Sequence, residues 1–497
     1  MKKNALKWLG LASALAVSAM PLPAQEANTV EQLKKQLQEM QQNFEKQRQQ
    51  MEAMQKQIEA LEKKQSALVE VPSTNVPAAV VTSPATIPPA QHWRPSDPIR
   101  LFGNQRNYMN ISFDGLFSAG ASTADDIEGG LNLGAHDPVQ RGFTVQNLEL
   151  TFDGMVDPYF RGQANIIYQI DSEGESGLEV EEAYLETLSL PGRLQVKAGQ
   201  YFTEFGRLNQ FHPHSWDFVD QPLVNGRFLG GDGLRNAGAR VSWLAPTPFY
   251  SELYLSVQNS QGETAASFRN GNEGEPLFGR LVDQGSVKSF GDLLFVPRYV
   301  ASFDLTDSQT LVLGTSAAFG PNSSGADTDT QIYGVDMFWK WRPVTQSKGF
   351  PFVSWQTEAM LRRYKAGAFD WDLNGDGILD GDEQDANGDG TPDVLPRETL
   401  RDWGVYSQVL WGFRPRWVLG LRGDYLAGDT ADYERLYGRD LQRADRWRIS
   451  PNLTWYPTEF SKMRLQYNYD DRQGFGVDHS VWLQIEFLLG SHGAHKF

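Results

Sequence analysis

The chain has 497 residues, a formal net charge of −17, 12% aromatic residues, 47 glycines and no cysteine. The missing cysteine excludes disulfides, zinc–thiolate sites and thiol catalysis. The first 95 residues hold three more basic than acidic side chains, so residues 96–497 carry −20. That acidity, with no basic stripe to neutralise phosphates, argues against a nucleic-acid partner.

Residues 1–24, MKKNALKWLGLASALAVSAMPLPA, read as a signal peptide. Lys2, Lys3 and Lys7 form a positive start, Trp8 to Met20 an apolar stretch, and Ala24 suits a cleavage site. The apolar stretch is shorter than the roughly 20 residues a membrane helix needs. The mature protein is therefore expected beyond the inner membrane.

Residues 29–69 follow a heptad. Val30, Leu37, Phe44, Met51 and Ile58 occupy a positions, and Leu33, Met40, Met54, Leu61 and Leu68 occupy d positions. The pattern predicts a coiled coil, a rod of roughly 60 Å at about 1.5 Å per residue. The alternative is one amphipathic helix lying on the protein's own surface. Residues 70–95 carry Pro72, Pro77, Pro84, Pro88 and Pro89, which forbid continuous helix and predict a semi-extended linker.

From residue 96 to 497 the period changes from helical to two. In KMRLQYNYD, Met463, Leu465, Tyr467 and Tyr469 alternate with Arg464, Gln466, Asn468 and Asp470. In SVWLQIEFLLG, Val481, Leu483, Ile485, Phe487 and Leu489 oppose Gln484 and Glu486. A soluble sandwich hides such an apolar face, whereas a membrane barrel turns it outward. Connections decide between them. Sixteen segments, from 107–121 to 480–490, are joined by tight turns that alternate with longer loops. The sequence therefore predicts an all-β transmembrane antiparallel barrel of about sixteen strands, preceded by a coiled-coil α-helix, with both termini in the periplasm. One strand breaks the pattern. In LEVEEAYLETL, Glu182 and Glu186 share a parity with Tyr184 and Leu188. A bulge, a subunit interface or a covering loop each account for that.

The stretches FTVQNLELTFDGMVDPYF and EEAYLETLSLPGRLQVKAGQYFTEFGRLN, with the terminal Phe497, resemble Gram-negative outer-membrane porins, in particular the phosphate-selective porin O/P group. The resemblance covers most of residues 100–497. It implies a homotrimer in outer-membrane lipid, passive diffusion of small solutes, and an insertion signal at Phe497. It also implies a lumenal ladder of basic residues. Lys197, Arg240, Arg298, Arg362 and Arg422 have the pleat parity for it.

Two segments invite ligand chemistry. In the insertion at 368–398, DLNGDGILDGDE has the EF-hand spacing for Ca2+. Asp372, Asn374, Asp376, the Ile378 carbonyl, Asp380 and Glu383 are the oxygen ligands, and Gly377 makes the turn. A second unit offers Asp385, Asn387, Asp389, the Thr391 carbonyl and Asp393, but has Pro396 where Glu belongs. The tandem resembles extracellular DxNxDGxxD repeats and predicts a structural clip, against the plainer reading of a solvated acidic loop.

Segment 204–236 is the expected constriction. It mixes Glu204, Arg207, His212, His214, Asp217 and Asp220. His212 and His214 with Asp217 and Asp220 have the ligand types for a divalent transition metal. The alternative is that Trp216, Phe218 and Phe228 anchor the loop and the histidines are hydrogen-bonded nearby. His492 and His495 add a weaker metal hint. No G-x-S-x-G motif accompanies the histidines, so enzyme activity is not expected.

The resulting expectation is an outer-membrane diffusion channel for small polar or charged solutes, anions among them. The alternatives are a structural or adhesive anchor that reaches the cell wall through the coiled coil, and a divalent-metal uptake pore.

Overall fold

The computed structural model describes residues 97–103, 107–270, 276–283 and 285–490. The signal peptide, heptad segment and linker, with His492, His495 and Phe497, lie outside the described residues.

Sixteen strands form one sheet: β1 (Tyr108–Ser122), β2 (Gly142–Met155), β3 (Phe160–Ile170), β4 (Ser176–Thr187), β5 (Leu194–Phe202), β6 (Arg235–Leu244), β7 (Tyr250–Asn259), β8 (Leu293–Thr306), β9 (Gln309–Pro321), β10 (Asp329–Trp341), β11 (Phe352–Ala366), β12 (Glu398–Arg414), β13 (Trp417–Gly428), β14 (Arg446–Thr458), β15 (Ser461–Arg472) and β16 (Gly476–Leu489). Each pairs antiparallel with the next, and β16 returns to β1 from Phe113↔Leu489 to Ser122↔Ser480. The sheet is therefore closed, and every strand has a partner on both sides. Tight turns such as 307–308, 415–416 and 459–460 gather at one end, and loops such as 203–234, 260–292 and 367–397 at the other.

Several boundaries differ from the sequence reading. The last strand starts at Gly476 rather than 480, and β4 ends at Thr187 rather than 190. The five-residue strand Ile99–Gly103 was not expected. It pairs with β1 from Ile99↔Ile111 to Gly103↔Tyr108, immediately beyond the point where β16 ends opposite Phe113.

The two faces have opposite chemistry. On β15 and β16, Leu465, Leu483, Ile485 and Phe487 are exposed on the outside, while Gln466, Asn468, Asp470, Gln484 and Glu486 are buried inside. That is the polarity of a membrane-spanning barrel, inverted from a soluble sandwich. Aromatic side chains mark the rims of the apolar belt. Trp403 packs on Tyr425 and Trp447 on Tyr469 near the long loops. Trp417 stacks on Trp455 near the tight turns, where Trp411 is also exposed. Trp403 to Trp411 and Trp447 to Trp455 each span eight residues, roughly 26 Å along a strand and roughly 20 Å after barrel tilt. An apolar band of that order fits a bilayer.

The irregular strand is a bulge. Asn165 pairs with Glu182 and Ile166 with Val180, so Glu181 is an extra residue in β4. Glu181 and Glu182 are consequently both buried, and the parity inverts there. Glu182, Tyr184 and Glu186 thereby face the lumen while Leu178, Val180 and Leu185 face outward.

Candidate functional site: the loop folded into the barrel

The 203–234 connection enters the lumen at a left-handed turn. Gly206 has φ +60°, and a Cβ there would lie 2.1 Å from Glu358 Oε2 on β11. Glu358 accepts hydrogen bonds from the Arg207 and Leu208 amides at 3.0 and 2.8 Å. Arg207 stacks over the Phe338 ring at 3.9 Å. The EFGRLN stretch is thus a glycine turn whose freed amides are taken by a wall carboxylate.

Beyond it, His212, Pro213 and His214 meet the bulge. His212 Nδ1 lies 2.7 Å from Glu181 Oε2 and 3.4 Å from Glu149 Oε2, and its Nε2 lies 2.9 Å from Glu182 Oε2. His214 Nδ1 is 3.2 Å from Glu149 Oε2. Burial opposes charge on both rings, but the surrounding carboxylates together outweigh it, Glu149 with Glu181 at His212 and Glu149 with Asp114 at His214, and hold both imidazoles above their usual value. The expected partners Asp217 and Asp220 are elsewhere, which corrects that ligand set. Asp217 accepts from Gln408 Nε2 at 3.0 Å, and burial raises its carboxyl. Asp220 accepts from Arg422 at 2.7 Å, Arg448 at 2.6 Å, Gln466 at 2.8 Å and Asn468 at 2.9 Å. Burial opposes its charge, but the two guanidiniums outweigh it and lower its pKa. Three to six residues in an extended loop carry a side chain past one wall strand to another, so short sequence spacing did not mean a shared site.

Helix α1 (Leu223–Leu229) follows, with its first amide donating to Asp424 Oδ1 of β13 at 3.1 Å. Its Leu223, Val224, Phe228 and Leu229 join Phe205 and the wall residues Val296, Ile332, Met360 and Tyr406 in an apolar cluster inside the barrel. The aromatic-anchor expectation thus matches Phe218 and Phe228, which are buried beneath Arg422 and Arg362 at 4.7 and 4.9 Å.

All five ladder residues point inward, and each has a carboxylate. Lys197 and Arg240 share Glu204 at 3.6 and 2.5 Å. Arg298 is bidentate to Asp336 at 2.7 and 3.0 Å, and Arg362 donates from Nε and Nη2 to the one oxygen Oδ2 of Asp402 at 3.0 and 2.7 Å. Arg422 bridges Asp220 and Asp424 at 2.7 and 2.8 Å. Every ladder cation is thus held against at least one carboxylate, although Lys197 and Arg240 share theirs. Sequence parity located the cations. It missed Glu149, Glu181 and Arg448, although Glu149 in NLELT and Arg448 in DRWRIS also stand on polar faces.

Two cavities are lined by charged side chains, and the first borders the inserted loop at Gly226, Arg227, Gly230 and Gly231. One of about 690 Å³ opens among the long loops and is lined by Arg227, Arg362, Arg446 and Arg472 with Asp126 and Asp445. The other, about 570 Å³, lies near a tight turn beside Asp304, Asp307, Lys340 and Arg342.

The acidic insertion folds as two copies of one loop. Asp372 accepts from the Gly375, Asp376 and Gly377 amides at 2.7, 3.1 and 2.9 Å. Asp385 accepts from Gly388, Asp389 and Gly390 at 2.7, 3.2 and 2.9 Å. Gly377 and Gly390 carry the left-handed φ of 71° and 83° that the sharp turn requires. Glu383 closes the first loop by accepting from the Leu373 amide at 2.9 Å. Asp393 closes the second by accepting from the Ala386 amide at 2.7 Å. In the second unit Asp393 thus makes the contact that Glu383 makes in the first. In both loops the first aspartate gathers the same three backbone amides.

No family model matches the chain. Its barrel is similar to the outer-membrane channel DcaP of Acinetobacter baumannii, at 14% identity over 78% of this chain and 99% of that one, with a TM-score of 0.48. It is also similar to OprB of Pseudomonas putida, at 11% identity over 77% and 94% with a TM-score of 0.42. A third likeness is an anion-selective porin from Comamonas acidovorans, at 8% identity over 77% and 100% with a TM-score of 0.41. A protein of Aquifex aeolicus (strain VF5), described as an uncharacterized protein, is 32% identical over 378 residues, 72% of this chain and 71% of that protein. With that identity across most of both lengths, this chain belongs to the same family as the Aquifex aeolicus protein.

Proposed function

We propose that the protein is an outer-membrane porin, a passive diffusion channel for small polar or charged solutes that works as a homotrimer. The observation that carries this reading is the closed barrel with an apolar outside, a charged inside, and one loop folded into the lumen beside a cavity of about 690 Å³. The paired ladder makes the interior a lattice of opposed charges, which orients dipolar solutes without demanding one sign. The tight turns then face the periplasm and the long loops the exterior. Stepwise conductance of purified protein in planar bilayers is expected, and reversal potentials in asymmetric salts would report its ion preference. Silence under all salts would overturn the channel.

The apolar cluster around Phe205, Val224 and Phe228 supports a second reading, a membrane anchor whose lumen is plugged. Deleting residues 29–69 separates the two: impaired envelope integrity with intact permeation favours the anchor.

We further propose that the two loops hold structural Ca2+. Asp372, Asn374, Asp376, Ile378, Asp380 and Glu383 would hold one ion, and Asp385, Asn387, Asp389, Thr391 and Asp393 the other. Outside the cell, where calcium reaches millimolar levels, sites of about 10⁻⁴–10⁻³ M suffice.

A further inference from the structure

The junction of His212 and His214 with the β4 bulge has the geometry of a metal centre. Ligand atoms of Glu149, Glu181 and His212 all lie within 4.8 Å of one another, and all three residues are buried. A tetrahedral zinc ion with ligands at about 2.0–2.1 Å separates them by about 3.3–3.4 Å. His212 Nδ1 to Glu149 Oε2 is 3.4 Å, and His214 Nδ1 to the same oxygen is 3.2 Å. The 2.7 Å from His212 Nδ1 to Glu181 Oε2 needs to widen by about 0.6 Å.

The surroundings fit as well. A metal-bound imidazole generally donates its second ring nitrogen to a carboxylate. His212 turns Nδ1 toward Glu149 and Glu181 and Nε2 toward Glu182, 2.9 Å away. Thr151 Oγ1 donates to Glu149 Oε1 at 2.9 Å, which leaves Oε2 turned to the two histidines. The bulge is what brings Glu181 and Glu182 inward in succession, one as ligand and one as orienter. Imidazole with carboxylate is a donor set for zinc-class ions and not for calcium, which takes oxygen alone.

We propose that Glu149, Glu181 and His212 hold a resident divalent transition-metal ion of the zinc class that pins the 203–234 loop to β2 and β4, with His214 beside Glu149. Because the ligands are buried between loop and wall, the ion is a cross-link and not cargo. The inference does not depend on the barrel conducting.

The test uses the full chain in detergent, stripped with chelator and titrated with Zn2+ or Co2+ alone in millimolar Ca2+, which occupies the acidic loops. One tight ion per chain is expected, with cobalt giving the intense visible band of a tetrahedral site and X-ray absorption showing imidazole in the shell. Glu181→Gln and His212→Gln should each weaken zinc binding by about 10–100-fold. Asp372→Asn should leave it unchanged. No tight ion in the unmodified protein, or a shell without imidazole, would overturn the proposal, and neither readout requires a variant to fold. Unchanged zinc affinity in folded Glu181→Gln and His212→Gln proteins would overturn it too.

Discussion

Arg448 Nη1 lies 2.6 Å from Asp220 Oδ2, tying β14 to the middle of the inserted loop. Asp220 also takes Arg422, and both guanidiniums are fully buried. Replacing Asp220 with Ala leaves two buried guanidiniums with one carboxylate each, Asp424 and Asp470, in place of two. A loss of about 3–5 kcal/mol is expected, because breaking a buried pair costs more than the pair contributes. Denaturant unfolding in micelles measures it. Larger single-channel steps in the same variant would show the loop leaving the lumen.

Asp137, in the 123–141 loop, accepts from the Gln221 amide at 2.7 Å and the Gly134 amide at 2.9 Å. Burial and the nearby Asp220 raise its carboxyl to about 7 from an ordinary 3.8. The folded state therefore binds this proton more tightly than the unfolded chain does. Its stabilising contribution is complete below the ordinary value and is lost as pH rises through about 7. Opening at Gln221, followed by hydrogen exchange corrected for intrinsic rates, should rise between pH 5 and 7 by up to about tenfold per unit. Asp137→Asn should flatten that slope, and a slope unchanged in the variant would refute the assignment.

Chelation of calcium should expose 367–397 to protease. Asp393→Ala is expected to weaken the second site at least as much as Glu383→Ala weakens the first, since each closes its loop on the amide one residue beyond the first aspartate. Calorimetric titration of each variant gives the comparison. A weaker effect at Asp393 would mean that the second unit is only an acidic turn.

Leu483 and Leu465 face each other across β15 and β16 on the outside of the barrel. Leu483→Arg should destabilise the barrel in lipid vesicles by about 2–4 kcal/mol if this position lies near the bilayer centre. Gln484→Ala, one residue along and facing inward, supplies a lumenal comparison.

Gly206→Ala tests the entry turn. The added methyl group meets Glu358 at 2.1 Å and the φ of +60° is strained for alanine, so loss of about 1–3 kcal/mol is expected. Crystallography or protease mapping would show whether the loop or Glu358 moves.

The wall was legible because period-two alternation carries its own polarity. KMRLQYNYD and SVWLQIEFLLG told which side chains face in, and the closed sheet places them there. The two tandem turns were legible because the aspartates and glycines that make them are local in sequence. The loop's partners were not, since Asp220 meets residues more than 200 positions away and His212 meets a bulge. A bulge shows in sequence as broken parity at Glu182 and Glu186, which identifies its presence without fixing which residue is extra. The apolar filling of the lumen was half visible, in Phe218 and Phe228, because a loop's aromatic residues do not say which surface they seek. The strand Ile99–Gly103 is too short to show a period.

That short strand joins two places that are far apart along the chain. Ile99 sits opposite Ile111 and Leu489 opposite Phe113, so the two lie end to end along β1, roughly 7 Å apart. A chain relinked from 489 to 99 by a few residues, and cut open in 429–445 instead, would keep all sixteen pairings. Circular permutation should therefore be tolerated here, with the seam of the barrel moved to wherever the new ends are placed.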